Sequence, residues 1–290
     1  MKFRACNDSG FWYNKNNFFR MRGCNMLQQP LQFIEAPVTE KTIRVLAIGN
    51  SFSVDATTYL RDMALADGID LRVMNHAIGG CSLQRHHGNM TNGTADYSTT
   101  YYTPDVVYTA KPTTLEQGVT AHKWDYITIQ QVSGLSGKYD TFTPYYPELV
   151  AYIKERQPEA EIMLHMTWAY AEGFSGLQNH SYEGQDHMYR RIVETYARFS
   201  KDLDGARILP SGEAIQRARA TEMGDVFNRD GFHCNVKGRI IAGWVWYEIF
   251  TGISPFDCKF DPKSADKFLT DHEIELMKTA AHEAVLAYQK

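Results

Sequence analysis

Two short segments of this chain pair residue types that can do covalent chemistry. Gly49-Asn50-Ser51-Phe52-Ser53 places a serine after an apolar run and before a helical pattern. A hydroxyl there sits among backbone N–H groups that lack intrahelical partners, and those groups favour a developing negative charge. Asp230-Gly231-Phe232-His233 puts a carboxylate one turn from an imidazole. A histidine acting as general base needs a third group to fix its tautomer, and a carboxylate at this spacing can supply it. Ser51, His233 and Asp230 are thus candidate nucleophile, base and orienting acid.

Further groups could complete such a site. The paired glycines Gly79-Gly80 let a backbone N–H approach a ligand closely. Gln130 ends an apolar run, where its amide could donate to an oxyanion, and Gln131 and Ser133 follow. The expected oxyanion hole is the Ser51 N–H, the N–H of Gly79 or Gly80, and the Gln130 side chain. Asn50, Gln131, Ser133, His165 and Trp168 are the expected substrate-facing residues. Each signal also has a plainer reading: Ser51 or Ser53 as a helix cap, the glycines as a tight turn, Gln130 as a polar strand end, and Asp230–His233 as a structural turn.

The elements that must position these groups read as alternating strands and helices. Apolar, β-rich runs at 43–48, 71–74, 125–130, 162–168 and 206–209 suit buried parallel strands. Helical patterns occupy 54–66, 147–156, 187–203, 212–221, 236–250 and 271–288, with Asp271 a candidate N-cap. This alternation predicts an α/β fold, a three-layer α/β/α domain over residues 41–290. Its five-stranded parallel sheet would run in the flavodoxin-like order 2-1-3-4-5. Ligands of such folds bind at the carboxyl ends of the strands, where the candidate residues fall. Residues 85–120 read as an irregular insertion, with 106–109 as one arm of a hairpin. Residues 1–40 read as a poorly ordered leader without the apolar core of a signal peptide. That reading makes the chain cytoplasmic as written, or periplasmic or secreted if its true start differs.

Composition excludes several classes. The 290 residues are 43% hydrophobic and 22% charged, as in globular domains rather than disordered or fibrous chains. A net charge of −4 gives no electrostatic footprint for nucleic acid. No apolar run is long enough for a transmembrane helix. The five cysteines form no C-x-x-C pair, which removes a zinc ribbon and leaves one possible bridge, Cys6–Cys24. His86, His87 and His165 lack the carboxylate frame of a metal site, and no phosphate-binding loop is present, so no cofactor is expected.

Taken together, the ordered motifs resemble the SGNH/GDSL-type hydrolases over about residues 43–252. Gly49-Asn50-Ser51-Phe52 is similar to that superfamily's first block, with Asn50 where Asp is commoner and Phe52 where Leu is commoner. Gly79 or Gly80 falls where the second block places an oxyanion glycine. Asp230-x-x-His233 matches the last block, and Lys237-Gly238 and Trp246-Tyr247 fit its flank. The branch it resembles is catalogued as a domain of unknown function and shares the G-N-S-F-S start and the Trp124-Asp125-Tyr126-Ile127 strand ending in Gln130. The third block departs: an Asn donor is usual, and here Gln130, then Gln131, stands for it, as in sugar-acetylesterase branches. The resemblance implies a serine esterase removing small O-acyl groups, acetyl above all, from a small molecule or glycan. Asn89, Asn92, Tyr97, Tyr101, Tyr102, Tyr139 and Tyr145 are the expected sugar-binding rim. The alternatives are a lipase or thioesterase, and a non-catalytic carbohydrate-binding protein on the same fold. Oligomeric state is not legible.

Overall fold

Runs of Ile, Val, Leu and Met with no polar alternation can be satisfied only where both faces of a strand are covered. The computed structural model describes residues 30, 31, 33, 37–39, 41–202 and 206–289. Its strands are β1 (Ile43–Gly49), β2 (Leu71–Ala77), β3 (Tyr97–Tyr102), β4 (Val107–Thr113), β5 (Tyr126–Ile129), β6 (Glu161–His165) and β7 (Arg207–Leu209). They form one sheet in the order β4-β3-β2-β1-β5-β6-β7. β1 pairs in parallel with β2 and β5, and parallel pairing continues through β6 to β7. These five strands keep the expected order.

The sheet has seven strands rather than five. β3 and β4 are an antiparallel hairpin laid along β2, inside the stretch that reads as an insertion. The hairpin follows strand periodicity, with Tyr97, Thr99 and Tyr101 turned inward. Pro112 sits in β4 at the sheet edge, where a missing N–H breaks no ladder. This corrects the expected sugar-binding rim. Tyr97 and Tyr101 are core residues. The Tyr97 hydroxyl meets His86 Nδ1 at 2.8 Å and its ring stacks on His76 at 4.0 Å. Tyr101 packs against Phe33 and His122, and the Tyr139 hydroxyl is spent on Asp202.

The helices are α1 (Ser51–Ala56), α2 (Leu60–Ala66), α3 (Leu83–Asn92), α4 (Leu115–Val119), α5 (Tyr145–Arg156), α6 (Gly176–Asn179), α7 (Gln185–Asp202), α8 (Ser211–Arg219), α9 (Val236–Thr251) and α10 (Asp271–Tyr288). α1, α2, α8 and α10 pack around α9, which is apolar on all sides. α3, α4 and α5 pack together separately, with α7 against the turn leading into α5. The single helix expected over 54–66 is two. Thr57 and Thr58 turn their hydroxyls back onto the Ser53 and Val54 carbonyls at 2.9 Å each, which competes with the helical ladder. Thr270, not Asp271, caps α10, exchanging bonds with Glu273 as a capping box.

No described helix is long and apolar enough to cross a membrane. The Cys6–Cys24 bridge and most of the leader expected over residues 1–40 lie outside the described residues. Cys81, Cys234 and Cys258 are free and buried.

Three histidines, His76, His86 and His165, are fully buried. Burial pushes each ring down to about 3 from its usual 6.5, so all three are neutral in the fold. The unfolded chain therefore binds more protons than the native one between pH 3 and 6.5. Stability is full above pH 6.5 and is lost as pH falls through that window. Urea unfolding should show about 4 kcal/mol less stability at pH 5.5 than at pH 7.5. A flat profile over that range would contradict neutral, buried rings.

Candidate active site

Gly49 ends β1 and Ser51 opens α1, so the strand delivers the serine to the carboxyl edge of the sheet. Asn50 is the N-cap. Its Oδ1 accepts the Phe52 N–H at 3.0 Å and its Nδ2 donates to the Cys81 carbonyl at 3.1 Å. Gly49 is required by close approach. A Cβ there would lie 2.7 Å from Ser53 Oγ and 3.0 Å from the Gln130 amide.

His233 comes from the loop between α8 and α9. Its Nδ1 lies 2.7 Å from Asp230 Oδ2, and its Nε2 lies 2.8 Å from Ser51 Oγ. A carboxylate only accepts, so Nδ1 carries the proton and Nε2 is left to accept from the Ser51 hydroxyl. Asp230 Oδ1 also accepts the Phe232 and His233 N–H groups, at 3.2 and 2.8 Å. Burial pushes the Asp230 carboxyl up, but the bonds from the His233 ring and from these two N–H groups together outweigh it. They hold the carboxyl below its usual range. The turn needs Gly231, whose φ is +91° and whose open face is covered by Phe174. This arrangement can take a proton from Ser51 and return it to a leaving group.

The donors cluster on the other side of Ser51. The turn after β2 is held against Asn50 by the Ile78 N–H on the Gly49 carbonyl at 3.1 Å. Gly79 and Gly80 are exposed on that turn, Gly80 at φ +61°. Among the described residues, the N–H groups of Ser51, Gly79 and Gly80 have no acceptor. Gln130 Nε2 donates to Asn50 Oδ1 at 2.7 Å, and its second N–H meets no acceptor among the described residues.

Four of the expected substrate-facing residues are instead buried supports. Gln131 spends its Oε1 on the Leu83 and Val132 N–H groups and its Nε2 on Thr141, so it has no donor left. Ser133 meets the Tyr170 hydroxyl at 2.9 Å. His165 binds Gln130 Oε1 through Nδ1 at 2.9 Å and Ser211 Oγ through Nε2 at 3.0 Å. Trp168 lies beyond the end of β6, donates to the Phe232 carbonyl at 2.7 Å, and stacks on Phe52 at 4.3 Å. Asn50 is buried too, in its capping role.

Sequence reasoning missed Asp55, which holds the two halves together. Buried on α1, it accepts from Arg229 Nη1 at 3.0 Å, from Arg239 Nη2 at 2.7 Å and from the Cys234 N–H at 3.0 Å. It also missed Arg219, which reaches from α8 to the Ala169 carbonyl, Asp225 and Asn228. A carboxylate one helical turn after Ser51 was the available signal for Asp55. Asp55→Ala should cost about 3 kcal/mol, the low end for breaking a buried pair, because the Arg229 and Arg239 side chains keep solvent contact. Amide exchange at His233 and Cys234 should rise more than exchange in β1. Unchanged protection in that loop would contradict the clamp.

Comparison with curated proteins finds no match. A DUF4886 family protein from Bacteroides uniformis ATCC 8492 is 38% identical, with a TM-score of 0.80 over 86% of this chain and 96% of that one. A proposed SGNH hydrolase from Slackia heliotrinireducens shares 23% identity at a TM-score of 0.50, covering 71% of this chain and 98% of its own. LAE5, an alpha/beta hydrolase enzyme from the metagenome of Lake Arreo, Spain, is 13% identical at 0.50, covering 72% and 95%. The fold is therefore that of the SGNH hydrolases. The family described as a domain of unknown function, DUF4886, matches residues 44–284, and the chain belongs to it.

Proposed function

We propose that this protein is a serine esterase that hydrolyses small O-acyl esters, acetyl first among them, on a carbohydrate. The observation that carries this reading is the unbroken line from Asp230 through His233 to Ser51, at 2.7 and 2.8 Å. Ser51 Oγ attacks the ester carbonyl as His233 Nε2 takes its proton. The carbonyl π bond opens to an oxyanion, held by the free N–H groups of Ser51, Gly79 or Gly80, and Gln130. On collapse the ester C–O bond breaks and His233 gives its proton to the departing alcohol. Water, deprotonated by the same nitrogen, then releases the acid and restores Ser51. No metal or cofactor enters these steps.

Ser51→Ala should lower kcat by several orders of magnitude and abolish labelling by a fluorophosphonate. Activity should be highest on two-carbon acyl groups and collapse by eight. Retained turnover in the variant would sink the nucleophile. A preference for long acyl chains would promote the lipase or thioesterase reading.

Gln130→Ala should lower kcat by about 10²–10³ with little change in KM, the loss typical of one oxyanion donor. Unaltered kcat would remove Gln130 from the hole.

A further inference from the structure

The leaving alcohol has only one place to start. His233 Nε2 must reach both Ser51 Oγ and the departing oxygen, so the alcohol begins beside the His233 ring. That ring is flanked by Phe232, with centroids 3.9 Å apart. Phe232 in turn lies parallel to Phe174, 5.6 Å away at 16°. Tyr170 meets both rings edge-on, at 5.5 and 5.7 Å. Phe174 is pressed onto Gly231, so its position is set by the same turn that carries Asp230 and His233. Phe174 and Phe232 are only half-buried.

One polar group completes this wall. His180 is half-exposed, 6.2 Å from Tyr170, and packs on Gly134. Neither of its ring nitrogens has a hydrogen-bond partner among the described residues. Burial, then the charge of Lys138, holds its pKa below the usual value, so the ring keeps one donor and one acceptor near neutrality. Half-buried aromatic rings near a neutral imidazole without a hydrogen-bond partner fit a ring that is apolar on its faces and hydroxylated at its edge.

We infer that Phe174, Phe232 and His180 form the subsite for the leaving alcohol, and that this alcohol is a pyranose-sized sugar. This rests on the esterase reading above and goes beyond it by placing the sugar against residues 174–180 and 232, away from the hairpin. The subsite discriminates between alcohols, because a one-carbon alcohol has no ring to set against Phe174.

The test compares a mono-O-acetyl methyl glucoside with methyl acetate, both followed by acid release. In the wild-type protein kcat/KM should favour the glucoside. Phe174→Ala should lower the glucoside-to-methyl-acetate ratio about tenfold, the scale of one aromatic contact, mainly through KM. Phe174→Leu, which keeps the apolar volume, should lower it by a similar factor and guards against misfolding of the alanine variant. His180→Ala should lower it severalfold through the lost hydroxyl partner. Phe268→Ala, on an exposed ring remote in sequence from the site, serves as the control with an unchanged ratio. An unchanged ratio in both Phe174 variants, with wild-type turnover of methyl acetate intact, would overturn the subsite while leaving the esterase standing. Parallel losses on both substrates would reduce the wall to a support for His233. Absence of turnover on either ester, together with no fluorophosphonate labelling, would overturn the esterase reading and the subsite with it.

Discussion

A buried carboxylate governs how this site is assembled. Ser51 and His233 are 182 residues apart in the chain, yet their side chains must meet at hydrogen-bond distance. Asp55 makes that meeting specific. It lies on the same short helix as Ser51 and takes bonds from Arg229, Arg239 and the Cys234 N–H, which bracket His233 on both sides. A lone buried carboxylate is unstable, so the 229–234 loop is recruited to neutralise it. Satisfying that charge brings the imidazole to the serine. Arg219 repeats the device from the opposite side, tying Asp225 and Asn228 to the chain just beyond β6. The loop therefore hangs between α1 and α8, and its own turn needs only Gly231 and Asp230 to set the ring.

The Gln130 side of Ser51 is fixed by a different means, a directed line of neutral hydrogen bonds. Trp246 Nε1 can only donate, and it donates to Ser211 Oγ at 3.2 Å. The Ser211 hydroxyl then donates to His165 Nε2, which leaves the His165 proton on Nδ1 to meet Gln130 Oε1. Gln130 Nε2 must then face Asn50 Oδ1, itself oriented by the Phe52 N–H. Every group in the line has one permitted role, so neither amide can flip without breaking two bonds. The burial that keeps His165 neutral is what makes this work. A protonated ring would present two donors and would leave Ser211 competing for the same face.

Legibility followed sequence locality. The five parallel strands could be read because each is a short, continuous apolar run between turn signals. Ser51, Asp230 and His233 could be read because each partnership is local or lies at a strand end. Of the hairpin only the arm at 106–109 could be read, since Tyr97-Ser98-Thr99-Thr100-Tyr101-Tyr102 is too polar to look buried until Thr99 is seen bonded to Thr113 and His76. Gln131 looked as available as Gln130, and nothing local told them apart. The distinction comes from Thr141 and Leu83, which reach Gln131 through tertiary packing alone. Asp55 offered only its place one helical turn after Ser51, because its partners lie more than 170 positions away.

These constraints divide the work of the molecule along the carboxyl edge of the sheet. The chain after β1, β2 and β5 is locked by capping, backbone bonds and buried amides, which suits groups that must not move while charge develops. The chain after β6 and β7 is different. It is held by Arg219 and Asp55 at its ends, but between them it presents rings and an unbonded imidazole, whose identities the supporting bonds do not dictate. Changing Phe174 or His180 would break no hydrogen bond among the described residues, whereas changing Gln130 or Asn50 would break several. On the esterase reading proposed above, the fold keeps its bond-making groups in the inflexible half and leaves recognition to the half whose side chains are free to vary. The hairpin is committed to neither, because its inward tyrosines are consumed in covering the sheet edge.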